Sequence, residues 1–176
     1  MVIDFRTRPP YKSFVTKGNF FPRPMEDDFE RPEDVPGIYR DSIGIESARH
    51  GDFRLYMDEL SASGIDMQVV QGRKVRPGMA AVDNEDVCRL QMLYPKQFIS
   101  FPAVDPADVD GAVAEIEYYV KTYGIKGIAM EPGWSMPPVY VDDRKLDPVY
   151  AACEEHGLIC AFTLSVLAGE DLSYCN

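Results

Sequence analysis

The first residues of the chain that could do chemistry are two arginines, Arg6 and Arg8, which follow the apolar segment of residues 2–5. Alternate residues of an extended strand share one face, so these two side chains are predicted to project together. Pro9 and Pro10 end the regular structure directly afterwards. Two adjacent guanidinium groups can clamp a carboxylate or a phosphate. The alternative is that they pair with carboxylates of the protein and only hold the strand end.

Glu131 is the carboxylate predicted to lie closest to these arginines, because it follows a later apolar strand pattern. It suits either a general base or a partner that orients an arginine. Neighbouring guanidinium groups would stabilise its ionised form, which favours the partner role with Arg6 or Arg8. By strict alternation Asp4 shares the face of Arg6, and an Asp4–Arg6 ion pair is expected.

Four further residues at predicted strand ends are candidates for substrate binding. Trp134 suits an aromatic wall for a substrate or, alternatively, simple loop packing. Arg73 supplies a third positive group or, with its basic neighbours, part of a solvated loop. Thr163 and Ser165 follow the last strand pattern, and no histidine is placed to activate Ser165 as a nucleophile.

Hydrophobic periodicity predicts an alternating order of strands and helices. The predicted strands cover residues 2–8, 65–70, 98–101, 125–130 and 158–163. Strict alternation with apolar strands indicates an α/β fold with parallel strands covered by helices. An open doubly wound sheet and part of a (β/α)8 barrel both fit, and in both the site lies at the carboxyl ends of the strands. No glycine-rich phosphate motif follows the first strand, which counts against a nucleotide-binding open sheet.

Local signals predict how individual elements begin and end. Asn84 is the expected N-cap of one helix, and Pro106 is expected in the first turn of the next. Gly64 and Gly124 are expected to terminate helices. Residues 11–45 read as one long loop, rich in proline and charge, that covers the site or meets a partner.

Composition excludes several classes of function. The chain has 176 residues with 29 acidic and 18 basic side chains, a formal net charge of −11. Such a surface repels phosphate backbones, so no nucleic acid is expected as a partner. No apolar run approaches the roughly 18 residues of a membrane span, and no signal peptide pattern is present. The four cysteines form no CxxC motif, and we expect reduced thiols in a cytoplasmic protein.

Three motifs, in order, resemble the amidohydrolase-related TIM barrels, the family that includes aminocarboxymuconate-semialdehyde decarboxylase-like enzymes. They are Ile3-Asp4, the Gly124-Ile125-Lys126-Gly127-Ile128 strand with Glu131-Pro132, and residues 142–158. The resemblance implies a parallel (β/α) barrel of the TIM type with about its first five strands present. It also implies an amidohydrolase-like hydrolase of C–N or similar bonds, or a non-oxidative decarboxylase (a carboxy-lyase), acting on a small carboxylated compound. Arg6, Arg8 and Glu131 would be the catalytic residues, with the arginine pair holding the substrate anion.

The chain departs from the family pattern at the metal. The family usually binds zinc through His-x-His after strand one and a histidine after strand five, and these positions are Arg6, Arg8 and Thr163 here. A protonated guanidinium has no lone pair for a cation, so no metal or other cofactor is expected at these positions. The alternative function is a catalytically inactive pseudo-amidohydrolase, or a barrel fragment that acts through a partner chain.

The length of the chain also limits how much of a barrel it can form. A whole barrel takes about 250 residues. Residues 1–176 are therefore predicted to form a single partial barrel domain. Its exposed sheet edges predict a homo-oligomer, or a partner chain that completes the barrel.

Overall fold

The computed structural model describes residues 1–17 and 45–163, and these residues alternate between strands and helices. The strands are β1 Ile3–Thr7, β2 Met67–Gln71, β3 Phe98–Phe101, β4 Gly127–Met130 and β5 Ile159–Phe162. The helices are α1 Ser13–Thr16, α2 Glu46–His50, α3 Phe53–Ser63, α4 Asn84–Leu93, α5 Val109–Tyr123 and α6 Asp147–Glu155. Two 3-10 turns, Pro132–Trp134 and Arg144–Leu146, follow β4 and precede α6.

All the strand pairs in the described residues are parallel and follow the order of the chain. β2 pairs with β1 on one side and with β3 on the other, and β4 pairs with β5. A parallel bridge between Ala103 and Ala129 joins β3 to β4, with hydrogen bonds of 3.0 Å on either side of it. The row β1-β2-β3-β4-β5 with connecting helices is the layout of a parallel (β/α) barrel.

The core lies in layers on the two sides of this row. Outside the row, α5 and α6 pack on β4 around Ile116, Ile128 and Val149, and a second cluster fills the space between β2, β3 and the helices α3 and α4. Inside the row, a smaller cluster contains Val69 and Phe101. Side chains of each strand alternate between these layers, as a sheet covered on both faces requires.

The predicted helix ends at Gly64 and Gly124 are confirmed, and the start of α3 is fixed by a cap that the sequence analysis did not name. Asp52 caps α3 by accepting from the backbone N–H groups of Arg54 (2.8 Å) and Leu55 (3.1 Å). Gly64 and Gly124 follow α3 and α5 with φ of 75° and 60°, left-handed values that suit glycine.

Two predicted helix starts are wrong. α5 begins at Val109, with Asp108 as its cap, and not near Pro106. Asn84 is the first residue of α4, and its cap is Asp83. The Asn84 amide instead binds the backbone of Ala103, accepting from its N–H at 2.7 Å and donating to its carbonyl at 2.8 Å. These bonds hold the chain just after β3, where the segment leaves the sheet.

Part of the predicted long loop is regular structure. Ser13–Thr16 form α1, and Phe14 is fully buried in the cluster beneath α3 and α4. Residues 18–44, where the predicted loop over the site would continue, lie outside the described residues.

Gly127 is a close-packing point of the sheet. A Cβ added there would lie 2.5 Å from the Phe101 ring and 2.6 Å from the backbone oxygen of Ile159. Gly127→Ala should therefore lower the free energy of unfolding by about 1–3 kcal/mol, because the ring and the β5 backbone must both move. Urea denaturation followed by circular dichroism measures this. Gly133→Ala is the matched control, since its Cβ meets no atom within 4 Å; equal effects of the two substitutions would contradict the packing argument.

Candidate functional site

The carboxyl end of β1 presents Arg6 and Arg8 on either side of a buried threonine. The register of β1 against β2 shifts between Asp4 and Thr7, so that β1 carries one extra residue there. The Thr7 hydroxyl donates to the Val69 carbonyl at 3.4 Å and fixes this strand end. Arg6 is exposed and Arg8 is half-buried, and both line one narrow pocket.

The register shift also separates Asp4 from the guanidinium of Arg6. Asp4 accepts from the backbone N–H of Arg6 at 3.3 Å and lies close enough to Tyr56 of α3 to act on its hydroxyl electrostatically. The expected Asp4–Arg6 ion pair is wrong, because strict alternation does not hold through the irregular part of the strand.

Arg73 and Glu131 form a buried ion pair between two strand ends. Arg73 follows β2 and Glu131 follows β4, and the Arg73 Nε lies 2.8 and 2.9 Å from the two carboxylate oxygens. Their side chains are only 10% and 8% exposed. The Arg73 guanidinium also donates to the carbonyl of Ala80. Two corrections follow: Glu131 pairs with Arg73 and not with Arg6 or Arg8, and Arg73 is not part of a solvated basic loop.

Trp134 packs on this pair. Its ring centroid lies 5.1 Å from the Arg73 guanidinium carbon and 6.0 Å from that of Arg76, distances at which cation–π attraction acts. The backbone N–H of Trp134 donates to the Glu131 carbonyl at 3.0 Å, and its carbonyl accepts from the N–H of Arg76 at 2.9 Å. The single tryptophan of the chain thus packs against the guanidinium of Arg73. Its indole N–H is buried without a hydrogen-bond partner.

Arg8 experiences the combined charge of the cluster. Burial, followed by the positive charges of Arg6 and Arg73, lowers the pKa of Arg8 to about 10, while the Glu131 carboxylate acts in the opposite direction. In the described part of the chain, three guanidinium groups and the Glu131 carboxylate line the narrow pocket. We call Arg6, Arg8 and Arg73 the arginine cluster.

Two spaces meet at the arginine cluster. The narrow pocket, about 10 Å³, lies among the three arginines, Gln71 and Glu131, and is just large enough for one water-sized group. A wider cavity of about 400 Å³ shares Arg6 and Gln71 with it and extends past Phe5 to Thr163. Gln71 donates to the Phe5 carbonyl at 3.4 Å.

The structure brings the predicted site residues together to different degrees. Arg6, Arg8, Arg73 and Glu131 line the narrow pocket, Trp134 lies behind it, and Thr163 lines the wider cavity. Ser165 lies outside the described residues. Gln71 was missed as a site residue; its place two residues before Arg73, at the end of a predicted strand, is the signal that could have found it.

The donor set at this strand end does not fit a divalent metal ion. Guanidinium groups offer no lone pair, and both Glu131 oxygens already accept from Arg73. Within residues 1–17 and 45–163, no three histidine, cysteine, aspartate or glutamate side chains are grouped so as to hold a metal ion. His156, at the end of α6, contacts Glu117 at 2.7 Å on the helical layer.

Comparison with known proteins assigns the chain to a family. Its residues 3–172 match the family model described as amidohydrolase. The chain therefore belongs to the amidohydrolase family, and its described strands are part of a TIM-type (β/α) barrel. No helix in the described ranges has both the length and the apolar character of a membrane span.

Solved structures support the same fold. An uncharacterised TIM-barrel protein from Bordetella bronchiseptica is 30% identical, with a TM-score of 0.77 over 98% of this chain and 58% of that one. The 5-carboxyvanillate decarboxylase LigW2 from Novosphingobium aromaticivorans is 20% identical, with a TM-score of 0.57 over 91% of this chain and 49% of that one. The 2,6-dihydroxybenzoate decarboxylase from Rhizobium is 18% identical, with a TM-score of 0.52 over 90% and 47% of the two chains.

The matches cover only part of each solved relative. The chain spans about half the length of the solved relatives. A search of curated proteins found no match.

The Arg73–Glu131 pair should show strong coupling in a double-mutant cycle. Arg73→Met and Glu131→Leu should each lower the free energy of unfolding by about 3–5 kcal/mol, because each leaves one buried charge without its partner. The double substitution removes both charges and should cost clearly less than the sum. Urea denaturation of the four proteins measures the coupling. Additive single effects would contradict a direct interaction.

Proposed function

We propose that this chain contributes the anion-binding half of an enzyme site, in which Arg6 and Arg8 hold the carboxylate of a small organic acid. The enzyme would be an amidohydrolase-like hydrolase or a non-oxidative decarboxylase. The observation that carries the proposal is the charge of the narrow pocket, where three guanidinium groups face one carboxylate.

The charge balance supports an anionic ligand at Arg6 and Arg8. Arg73 and Glu131 largely neutralise each other through two short contacts. Arg6 and Arg8 add two further guanidinium groups to the lining of the same narrow pocket, in a protein of net charge −11. The lowered pKa of Arg8 means that burial and its neighbours disfavour the cation, and a bound anion would relieve that cost. Carboxylates match the planar donor geometry of arginine.

The two spaces suggest how such a ligand lies. The narrow pocket admits a group the size of one carboxylate oxygen, and the wider cavity beside it has room for the body of the molecule. Gln71 and Thr163 would meet the polar parts of that body, and Phe5 its apolar part. Trp134 is assigned to the support of Arg73 and not to substrate contact.

The arginines would act differently in the two reaction classes. In hydrolysis they would stabilise negative charge that develops on the reacting group. In decarboxylation the departing carboxylate becomes neutral CO2, so a guanidinium clamp on that group would stabilise the ground state more than the transition state. Arg6 and Arg8 would then hold a second anionic group that stays on the substrate. Two solved relatives are decarboxylases, and one of them contains manganese and a nitrobenzoic acid ligand, which supports carboxylated compounds as the first class to screen.

Arg6→Ala combined with Arg8→Ala should weaken carboxylate binding at least tenfold, because both donors of the clamp are lost. A panel of small mono- and dicarboxylates, titrated while the fluorescence of the single tryptophan is recorded, measures the affinity. Assays of CO2 release and of hydrolysis on the ligands that bind would separate the two reaction classes.

The matched control is Arg54→Ala combined with Arg89→Ala, two exposed arginines of α3 and α4. It removes the same net charge away from the site and should leave binding unchanged. Equal affinity of the site variant and this control would end the clamp proposal.

A second candidate is that the chain is catalytically inactive and acts through a partner chain or a second copy. The strands at the two ends of the described row support it. Ile3 and Phe5 of β1 are 44% and 48% exposed, and Ile159 and Phe162 of β5 are 52% and 41% exposed. Apolar side chains on unpaired strand edges are typical of a surface that another chain covers.

Light scattering of the purified chain tests this candidate, which predicts a dimer or a larger assembly. Ile159→Glu should shift the chain toward the monomer, because it places a charge on the exposed strand. Met92→Glu, at an apolar position of α4 that is 64% exposed, is the control and should not change the assembly. A stable monomer with an ordered circular dichroism spectrum would argue against the need for a partner.

A further inference from the structure

We propose that the arginine cluster takes the place of a divalent cation at this barrel mouth, so that the site binds its anion directly and rejects Zn²⁺ and Mn²⁺. The rejection of metal stands on the geometry of this chain alone. The direct binding of an anion rests on the function proposed above.

Charge is the first argument. A divalent cation in the narrow pocket would face the guanidinium groups of Arg6, Arg8 and Arg73, and the Glu131 carboxylate of that pocket is already paired with Arg73. Burial reduces the screening of such repulsion by water, and Arg73 is nearly fully buried. The same surroundings attract a ligand of negative charge.

Ligand availability is the second argument. Glu131 is the only carboxylate among the described residues that line the narrow pocket, and both of its oxygens lie within 2.9 Å of the Arg73 Nε. A metal bound to Glu131 would displace Arg73 and leave a buried guanidinium without its carboxylate. The arginine itself is held against that movement by the Ala80 carbonyl and the Trp134 ring.

Geometry is the third argument. Arg6 and Arg8, two positions apart at the end of β1, line the same narrow pocket, and the buried Thr7 between them lines it as well. The first strand and the residue after it thus present two guanidinium groups and one hydroxyl to this pocket, and no histidine or carboxylate of Ile3–Thr7 lines it. The guanidinium groups supply the positive charge themselves, in permanently protonated form and with directional N–H donors.

The test uses the full chain after treatment with a chelator. Calorimetric titrations with ZnCl2, MnCl2 and sodium malonate measure the binding of each. The malonate titration is then repeated in the presence of each metal. We expect saturable malonate binding whose affinity changes less than twofold when metal is added. Any metal that binds elsewhere on the chain should bind Glu131→Gln equally well. Metal binding near one equivalent that Glu131→Gln removes would overturn the proposal.

A second measurement keeps the test decisive if Glu131→Gln does not fold. A tenfold or greater change of malonate affinity caused by Zn²⁺ or Mn²⁺ in the unmodified chain would by itself place the metal at the anion site and overturn the proposal. Failure of the proposed function looks different. The chain would then bind neither malonate nor metal at this strand end, so that metal rejection would hold while anion binding would be lost.

Discussion

The ion pair of Arg73 and Glu131 is the contact on which the arrangement of this barrel mouth depends. It joins the ends of β2 and β4, which are separated by β3 in the sheet, and it does so with little exposure to water. Because Glu131 is committed to Arg73, it is neither a free base nor a partner of the first strand. Because Arg73 is committed to Glu131, Arg6 and Arg8 are the guanidinium groups of this pocket that the proposed anion site depends on. Trp134 closes the rear of the pair and limits where the guanidinium can go.

The alternation of elements was sufficient for a parallel α/β fold, and the family resemblance predicted a barrel instead of an open sheet, which the structure confirms. Helix stripes such as that of α5, and glycines such as Gly64 and Gly124 at helix ends, are local signals, and the structure confirms them. The mouth of the barrel as the place of the site followed from the parallel strand order alone. Residue type and strand position were enough to bring Arg6, Arg8, Arg73 and Glu131 into one list of candidates.

The local sequence pattern could not predict which of these residues pair with one another. Arg73 is surrounded in sequence by basic residues, which indicates a solvated loop, but its partner Glu131 lies 58 residues away. Asn84 has the residue type of a helix cap, yet its amide has a competing use in the backbone of Ala103, which only the packing of α4 against β3 reveals. An extra residue in β1 likewise changes which side chains share a face, and nothing in the sequence of the strand marks it.

The backbone of β1 sets where its side chains point, whatever their residue types are. The backbone, and not the residue type, decides that the positions on either side of Thr7 converge on the mouth. Other residue types at positions 6 and 8 would project into the same pocket without any change in the barrel backbone. A change in the class of ligand bound at this strand end then needs two substitutions at the end of β1 and a new partner for Glu131. Few mutations would therefore produce a large change of chemistry.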